Sequence, residues 1–281
     1  MSAQAGIGER SNYLSRFMVL IWQSAAQLLR PASHSRRAEA ARRSARHVLL
    51  ITAILGAAII GLMYVLDARE IGLMPPRGTA SLWPVGILTD FGKAAYVMWL
   101  LGAALFAVAV ISASLRGTPR AQLLGLGLRL QFVFFAVLVP LLSGEAIKWV
   151  VGRGRPFVGG EANAFNFAHF SGTEAYASFP SAHAIVSSAL AFAVSTVWPQ
   201  MRGTMVVYAV LISGSRLVLL AHHPSDVVAG VLIGVVGAMV VRDWFAARRL
   251  GFAIRRDGGI VPLAGPSLGH LKRVARGGSA P

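Results

Sequence analysis

Three short stretches carry side chains suited to handling a phosphoryl group: Lys148 to Pro156 (KWVVGRGRP), Pro180 to His183 (PSAH) and Ser215 to Asp226 (SRLVLLAHHPSD). Between them they hold Lys148, Arg155, Arg216, Ser181, His183, His222, His223 and Asp226. Phosphoryl transfer asks a protein mainly to position the group and to neutralise charge on its oxygens. Guanidinium groups fork onto phosphate oxygens, and an ammonium adds a point charge. Imidazoles supply proton transfer near neutral pH, and a serine hydroxyl adds a donor. These residues make one pocket only if the intervening elements bring them together.

Those elements are membrane helices. The chain has 281 residues, 55% hydrophobic and only 14% charged, and a mean hydropathy of +0.61, which excludes an ordinary soluble domain and intrinsic disorder. A crossing needs about 20 mostly apolar residues, and Val48 to Leu66 and Ala94 to Leu115 meet this without a charge. Four further candidates are Ala121 to Ile147, which contains Arg129 and Glu145, Ala184 to Trp198, Thr204 to Ala221 with Arg216 inside it, and Asp226 to Val241. The expected fold is therefore all-α, a polytopic bundle of about six transmembrane helices. Charges inside such spans usually face a bundle interior or a wet cavity, so they point to a site. With no cysteine, disulfides, thiolate zinc and a thiol nucleophile are excluded.

Lys and Arg exceed Asp and Glu by 16, but they collect where a membrane protein retains positive charge on its cytoplasmic side. Eight basic residues precede Val48, eight follow Val241, and Arg116, Arg120 and Arg202 share their face. Seven lie opposite: Arg69, Arg77, Lys93, Lys148, Arg153, Arg155 and Arg216. The tails are thus expected in the cytoplasm, and a nucleic-acid partner is not. The three chemical stretches then fall together at the outer face, at the end of the third span, the entry to the fourth and the turn between the fifth and sixth. A cationic pocket containing imidazoles results, as phosphate chemistry requires.

The order Lys-x6-Arg-Pro, Pro-Ser-x-His, Ser-Arg-x5-His-x3-Asp resembles the type 2 phosphatidic acid phosphatase (PAP2) superfamily, which also includes vanadium-dependent haloperoxidases and glucose-6-phosphatase. Lys148, Arg155, Pro156, Pro180, Ser181, His183, Ser215, Arg216, His222 and Asp226 carry the match. The second motif departs at Ala182, where the family usually has Gly. The resemblance implies a membrane-bound lipid phosphatase without a cofactor, in which Lys148, Arg155, Ser181 and Arg216 bind phosphate. It implies that His222 is the nucleophile forming a phosphohistidine, that Asp226 fixes its tautomer as the third member of a triad does, and that His183 protonates the leaving oxygen and then activates water. No metal is expected, because no further His, Asp or Glu cluster lies close to His222 and Asp226. The motif spacing selects His222 over the adjacent His223. Glu145, three residues before Lys148, shares its helix face and is expected to orient it.

Tyr13 to Leu29 has helical apolar spacing and is expected to lie at the membrane interface. Trp149, Phe157, Phe165, Phe167, Phe170, Tyr176 and Phe179 fall in or beside the loop before the second motif, as headgroup-level anchors or the rim of a lipid entry. Gly230, Gly234 and Gly237 form a small-residue face for close packing. The organisation read from sequence is a basic tail over 1–47, a catalytic membrane domain over 48–241 and a flexible basic tail over 242–281. Three function classes remain open: a phosphatase acting on phosphatidate, phosphatidylglycerophosphate, undecaprenyl diphosphate or a lipid A phosphate; a lipid phosphotransferase; and a non-catalytic binding protein. Its partners are the bilayer and a lipid phosphate, its expected location a bacterial cytoplasmic membrane with the site facing outward, and oligomeric state is not encoded in these features. Because the chain lacks cysteine, a single cysteine placed between Gly159 and Gly172 should react with an impermeant maleimide on intact cells; labelling only after the cytoplasmic side is opened would reverse the orientation.

Overall fold

A computed structural model describes residues 2–156, 158–160 and 163–263, with side chains from residue 13 onward. The expected helical fold is present, and each candidate span falls largely within a helix. In chain order these are α1 (Ser2–Leu29), α2 (Arg37–Val65), α3 (Asp67–Leu73), α4 (Trp83–Asp90), α5 (Ala94–Ser114), α6 (Gly117–Val151), α7 (Ala182–Val197), α8 (Arg202–Val218) and α9 (Pro224–Ala247). A short antiparallel hairpin follows, β1 (Phe252–Ile254) with β2 (Ile260–Pro262). By length and composition, Arg37–Val65, Ala80–Ser114, Gly117–Val151 and Pro224–Ala247 suffice to cross a membrane; Ala182–Val197 is apolar but shorter, and α8 has 17 residues.

The bundle is apolar on both its inside and its perimeter. Ala184, Ile185, Val186, Ala189 and Ala193 of α7 are buried against α6 and α9, where Val133, Ala136, Val137 and Ala238 meet them. Leu49, Ile54, Trp99, Leu100, Val206 and Val210 point outward and are exposed. A soluble protein hides such residues, whereas hydrocarbon receives them at no cost.

Close approach of α9 to its neighbours depends on the glycine face. A Cβ at Gly234 would stand 2.2 Å from the Ser188 hydroxyl oxygen and 2.5 Å from the Ile185 carbonyl, and one at Gly237 would stand 2.6 Å from Cβ of Pro140 in α6. These glycines seat α9 on α7 and α6 and thereby set the height of its first turn, which belongs to the site.

Several expectations need correction. The first crossing helix begins at Arg37, inside the expected tail. Residues 242–263 are ordered rather than flexible: α9 continues to Ala247, and Phe252 of the hairpin is buried against Phe132 with ring centroids 4.9 Å apart. Gly265, Pro266 and the rest of the C-terminal stretch lie outside the described residues. The N-terminal helix docks on the bundle, Tyr13 donating to the Val110 carbonyl at 3.1 Å and Phe17 meeting Phe106 edge to face. Leu14, Met18 and Trp22 on its other side are exposed. Finally, α8 stops at Val218, so Leu219 to Ala221 leave the helix before His222.

Adding one methyl at Gly234 should lower stability by about 1–3 kcal/mol through overpacking, whereas Gly61→Ala, with nothing within 4 Å of the new Cβ, should be neutral. Thermal unfolding in detergent measures both; equal shifts would contradict this packing account.

Candidate active site

Three segments converge at the ends of α6, α7, α8 and α9. The first is delivered by the end of α6. Gly152 caps it in the left-handed region (φ 55°), its amide donating to the Lys148 carbonyl at 2.9 Å. A Cβ at Gly152 would stand 1.9 Å from the Ala168 carbonyl oxygen, so both the turn and the contact require glycine. The chain then runs beside the following loop: Gly154 N–H to Asn166 O at 2.8 Å, Arg155 N–H to Ala175 O at 2.9 Å and Ser178 N–H to Arg153 O at 3.0 Å. This pairing puts Arg153, Arg155 and Ser178 on one small scaffold.

The second segment is the entry to α7. Ser181 is its N-cap residue, and its amide donates to the Asp226 carbonyl at 3.1 Å, fastening α7 to α9. Its hydroxyl is buried and makes no hydrogen bond among the described residues, and the same holds for His183 Nε2 and Arg216 Nε. Polar atoms buried in this way normally have a partner, and three of them here suit an oxygen-rich ligand. Ala182, where the PAP2 motif usually has Gly, begins α7 in ordinary helical geometry and is accommodated.

The third segment is the turn from α8 into α9. Leu220 adopts a left-handed conformation (φ 46°), a strained choice for a branched residue, and His222 follows in a buried position. Its ring Nδ1 lies 2.7 Å from the Ser178 carbonyl. A carbonyl oxygen can only accept, so Nδ1 carries the proton and Nε2 keeps the lone pair. Burial, then the positive charges of Arg216 and Arg155, hold the His222 pKa well below the usual histidine range; the Ser178 contact opposes this and Lys148 adds to it. Burial and the three cations that the motifs specify thus all favour the neutral form of His222.

Each cation has a resting partner. Lys148 pairs with Glu145 at 2.6 Å, as the helix spacing predicts. Arg155 donates to the Glu174 carbonyl at 2.9 Å and to its carboxylate at 2.8 Å. Arg216 donates to the Thr89 hydroxyl at 2.9 Å, which brings the end of α4 to the site. Beyond Thr89, Lys93 pairs with Asp90 at 2.8 Å, and Gly92 lies so close to His183 that an added Cβ would stand 3.3 Å from its ring.

The arrangement differs from the expected triad at one point. Asp226 does not hydrogen-bond His222. Its carboxylate accepts from Arg153 Nη1 at 2.6 Å, the Ser178 hydroxyl at 2.5 Å and the His223 amide at 2.9 Å. His223 is fully buried, with Nδ1 donating to the Asp67 carbonyl at 3.3 Å. Sequence reasoning missed Ser178, Thr89, Glu174, Asp67 and the role of Arg153. Asp67 and Arg153 did carry a signal, a carboxylate at the end of an apolar span and a second arginine inside the first motif. The aromatic loop is partly assembled, with Trp149 edge-on to Phe170 at 4.8 Å and Phe165 against Tyr64 at 5.3 Å; Phe157 lies outside the described residues. His169 meets the Val150 carbonyl at 3.3 Å and stacks with Phe167, ring centroids 6.0 Å apart.

The family model of the PAP2 superfamily matches residues 129–250, the stretch that holds the three motifs. Two relatives named Lipid A 1-phosphatase are similar over 174 residues, 61% of this chain. That of Rhizobium johnstonii is 32% identical with 71% of its length covered, and that of Rhizobium etli 30% identical with 75% covered. The chain belongs to the PAP2 superfamily. A PAP2 relative whose name proposes undecaprenyl-diphosphatase activity, YbjG of Escherichia coli K12, is 32% identical over 111 residues, 37% of this chain and 52% of its own. No solved structure gives a significant match. A PAP2-type phosphatase must neutralise charge on a phosphoryl group, and Lys148, Arg155 and Arg216 are the cations that its motifs supply in this chain.

If Arg155 binds phosphate, as the motif resemblance implies, an incoming phosphate competes with the Glu174 carboxylate for it. Glu174 is 93% exposed at its side chain, so the pair is a weak one, worth at most about 1 kcal/mol. Glu174→Gln removes the competitor while its backbone carbonyl still holds Arg155. Inhibition by vanadate should tighten about two- to fivefold; weaker inhibition in a titration of the variant would contradict this view of the resting site.

Proposed function

We propose that this chain is an integral-membrane lipid phosphatase that transfers the phosphoryl group of a lipid phosphate to His222 and then to water at the outer membrane face. Helices α2 and α5 to α9 make six crossings with both tails cytoplasmic, which the Lys/Arg distribution supports. A helix of 16 residues rises about 24 Å, less than the roughly 30 Å of hydrocarbon. We place this shortfall at the entry to α7, where a substrate arriving from the bilayer would reach the site more readily than a soluble sugar phosphate.

The single observation that carries the reading is the His222 ring bonded through Nδ1 to the Ser178 carbonyl, under the electrostatic influence of Arg216, Arg155 and Lys148. Lys148, Arg155 and Arg216 take the phosphate oxygens, with the Ser181 hydroxyl and the first turn of α7 as further donors. The Nε2 lone pair forms a bond to phosphorus as the phosphorus–oxygen bond to the lipid breaks. Protonated His183 gives its proton to the departing alkoxide. Water then attacks the phosphohistidine, His183 takes a proton from it, the phosphorus–nitrogen bond breaks, and inorganic phosphate leaves with His222 neutral again. Glu145 orients Lys148 from outside the phosphate shell. The names of the Rhizobium relatives favour a glycolipid of the lipid A class, dephosphorylated at its 1-position.

Purified protein given a panel of lipid A, undecaprenyl diphosphate, phosphatidate and phosphatidylglycerophosphate should release phosphate fastest from lipid A, at a rate nearly unchanged by chelators. Release only from the diphosphate would move the substrate assignment, a strict need for a divalent ion would overturn the mechanism, and transfer of the group to another lipid would make the enzyme a phosphotransferase. His183→Ala should slow an alkyl lipid phosphate about 10²- to 10⁴-fold but an activated aryl phosphate far less, since an aryl oxide departs without a proton. Equal losses would make His183 a phosphate-positioning residue.

A further inference from the structure

Asp226 is not bonded to the nucleophile, yet it sits in the most heavily connected buried polar cluster of the described chain. Arg153 is 1% exposed, and Asp67, Asp226, Ser225 and Ser178 are each 0% exposed. Its guanidinium donates to the Ala164 carbonyl through Nε and Nη2, to Asp67 Oδ2 through Nη2 at 2.8 Å, and through Nη1 to the Ser225 hydroxyl and to Asp226 Oδ1, each at 2.6 Å. Asp67, just past the end of α2, accepts in turn from the Ser225 amide at 3.0 Å and from the Ser225 hydroxyl. Its own carbonyl receives the His223 ring. The first residue of α3 thus grips the first turn of α9 on both sides of its N-terminus, 156 and 158 residues away in sequence.

Such a cluster is a poor device for stability alone. Desolvating two carboxylates and a guanidinium costs about as much as their attraction returns, and well-packed apolar residues are often as good. What it supplies is fixed geometry, because every lone pair and N–H involved has one low-energy arrangement. A fourth buried group limits its charge: burial, then Asp67 and Asp226, push the Glu70 carboxyl up to about 8, so at pH 7 it stays protonated and adds no third negative charge.

The path from this cluster to the reacting atom is short. Arg153 fixes one oxygen of Asp226, the other oxygen accepts the Ser178 hydroxyl, and the Ser178 carbonyl holds His222 Nδ1. Arg153 also accepts the Ser178 amide on its own carbonyl, so Ser178 is pinned from both sides.

We infer that Asp67 and Arg153 are positioning residues for the phosphoryl-accepting histidine: they hold Asp226 and Ser178 so that the Ser178 carbonyl aims His222 Nε2 at the phosphate. This rests on His222 acting as the nucleophile. Neither residue touches phosphate, so their loss should spare the cationic clamp and reduce turnover. A displacement of about 1 Å at a reacting centre costs on the order of 10²-fold.

The test uses full-length protein in detergent, with kcat and KM for phosphate release from lipid A and thermal unfolding measured together. Asp67→Asn should keep KM within about threefold and lower kcat about 10- to 100-fold in the folded fraction. Ser178→Ala removes one hydroxyl, leaves Asp226 paired with Arg153, and should lower kcat about tenfold with KM retained; it decides the matter if Asp67→Asn does not fold. Folded Ser178→Ala with unchanged kcat, or a loss carried wholly by KM, would overturn the inference while leaving the phosphatase reading intact. A wild-type chain that releases no phosphate from any lipid on the panel would remove that reading and this assignment with it.

Discussion

The proposed chemistry depends on one hydrogen bond: the imidazole of His222 donating through Nδ1 to the Ser178 carbonyl. An imidazole buried among three cations has every electrostatic reason to stay neutral, which supplies a lone pair but does not say which nitrogen carries it. A carbonyl acceptor settles that, because it can take only a proton donor. It also carries no formal charge, so it orients the ring without the strong pull toward protonation that a carboxylate neighbour would exert. The carboxylate instead sits one residue further back, where it fixes the acceptor.

Much of the fold can be read as what it takes to hold that carbonyl still. Gly152 ends α6 so that the next residues pair with the loop carrying Ser178. The Ser181 amide ties α7 to the first turn of α9, and Gly230 and Gly234 let those helices approach to backbone contact. Asp67 brings in α2, which packs chiefly on α9 and otherwise faces outward. Because hydrocarbon offers no hydrophobic drive between helices, tight backbone packing and these polar ties are what give the end of the bundle one arrangement.

The motif residues were legible by type and spacing: Lys148, Arg155 and Arg216 lie near enough to act on His222, and Ser181 and His183 stand at the entry to α7. The apolar runs likewise revealed the helices, since hydrocarbon imposes length and composition on them. What sequence could not reveal was the partner of His222. A backbone carbonyl has no side-chain signature, and the triad analogy assigned the place to Asp226, the nearest acidic residue at the right spacing. Asp67 was passed over because its partners lie 86 and 158 residues away. The ordered hairpin after α9 was misread for a related reason: its glycines and arginines resemble a flexible tail, while Phe252 and Ile254, which bury against the bundle, are too few to give a periodic signal.

The measurement closest to the central claim is the chemical identity of the phosphoenzyme. Enzyme mixed briefly with a phosphorus-labelled ester, quenched in alkali and digested, yields the modified peptide, and nuclear magnetic resonance then distinguishes the two ring nitrogens. The account predicts phosphate on Nε2 of His222. Phosphate on Nδ1 of that ring, phosphate on His223, or an active enzyme from which no phosphohistidine can be trapped would contradict it.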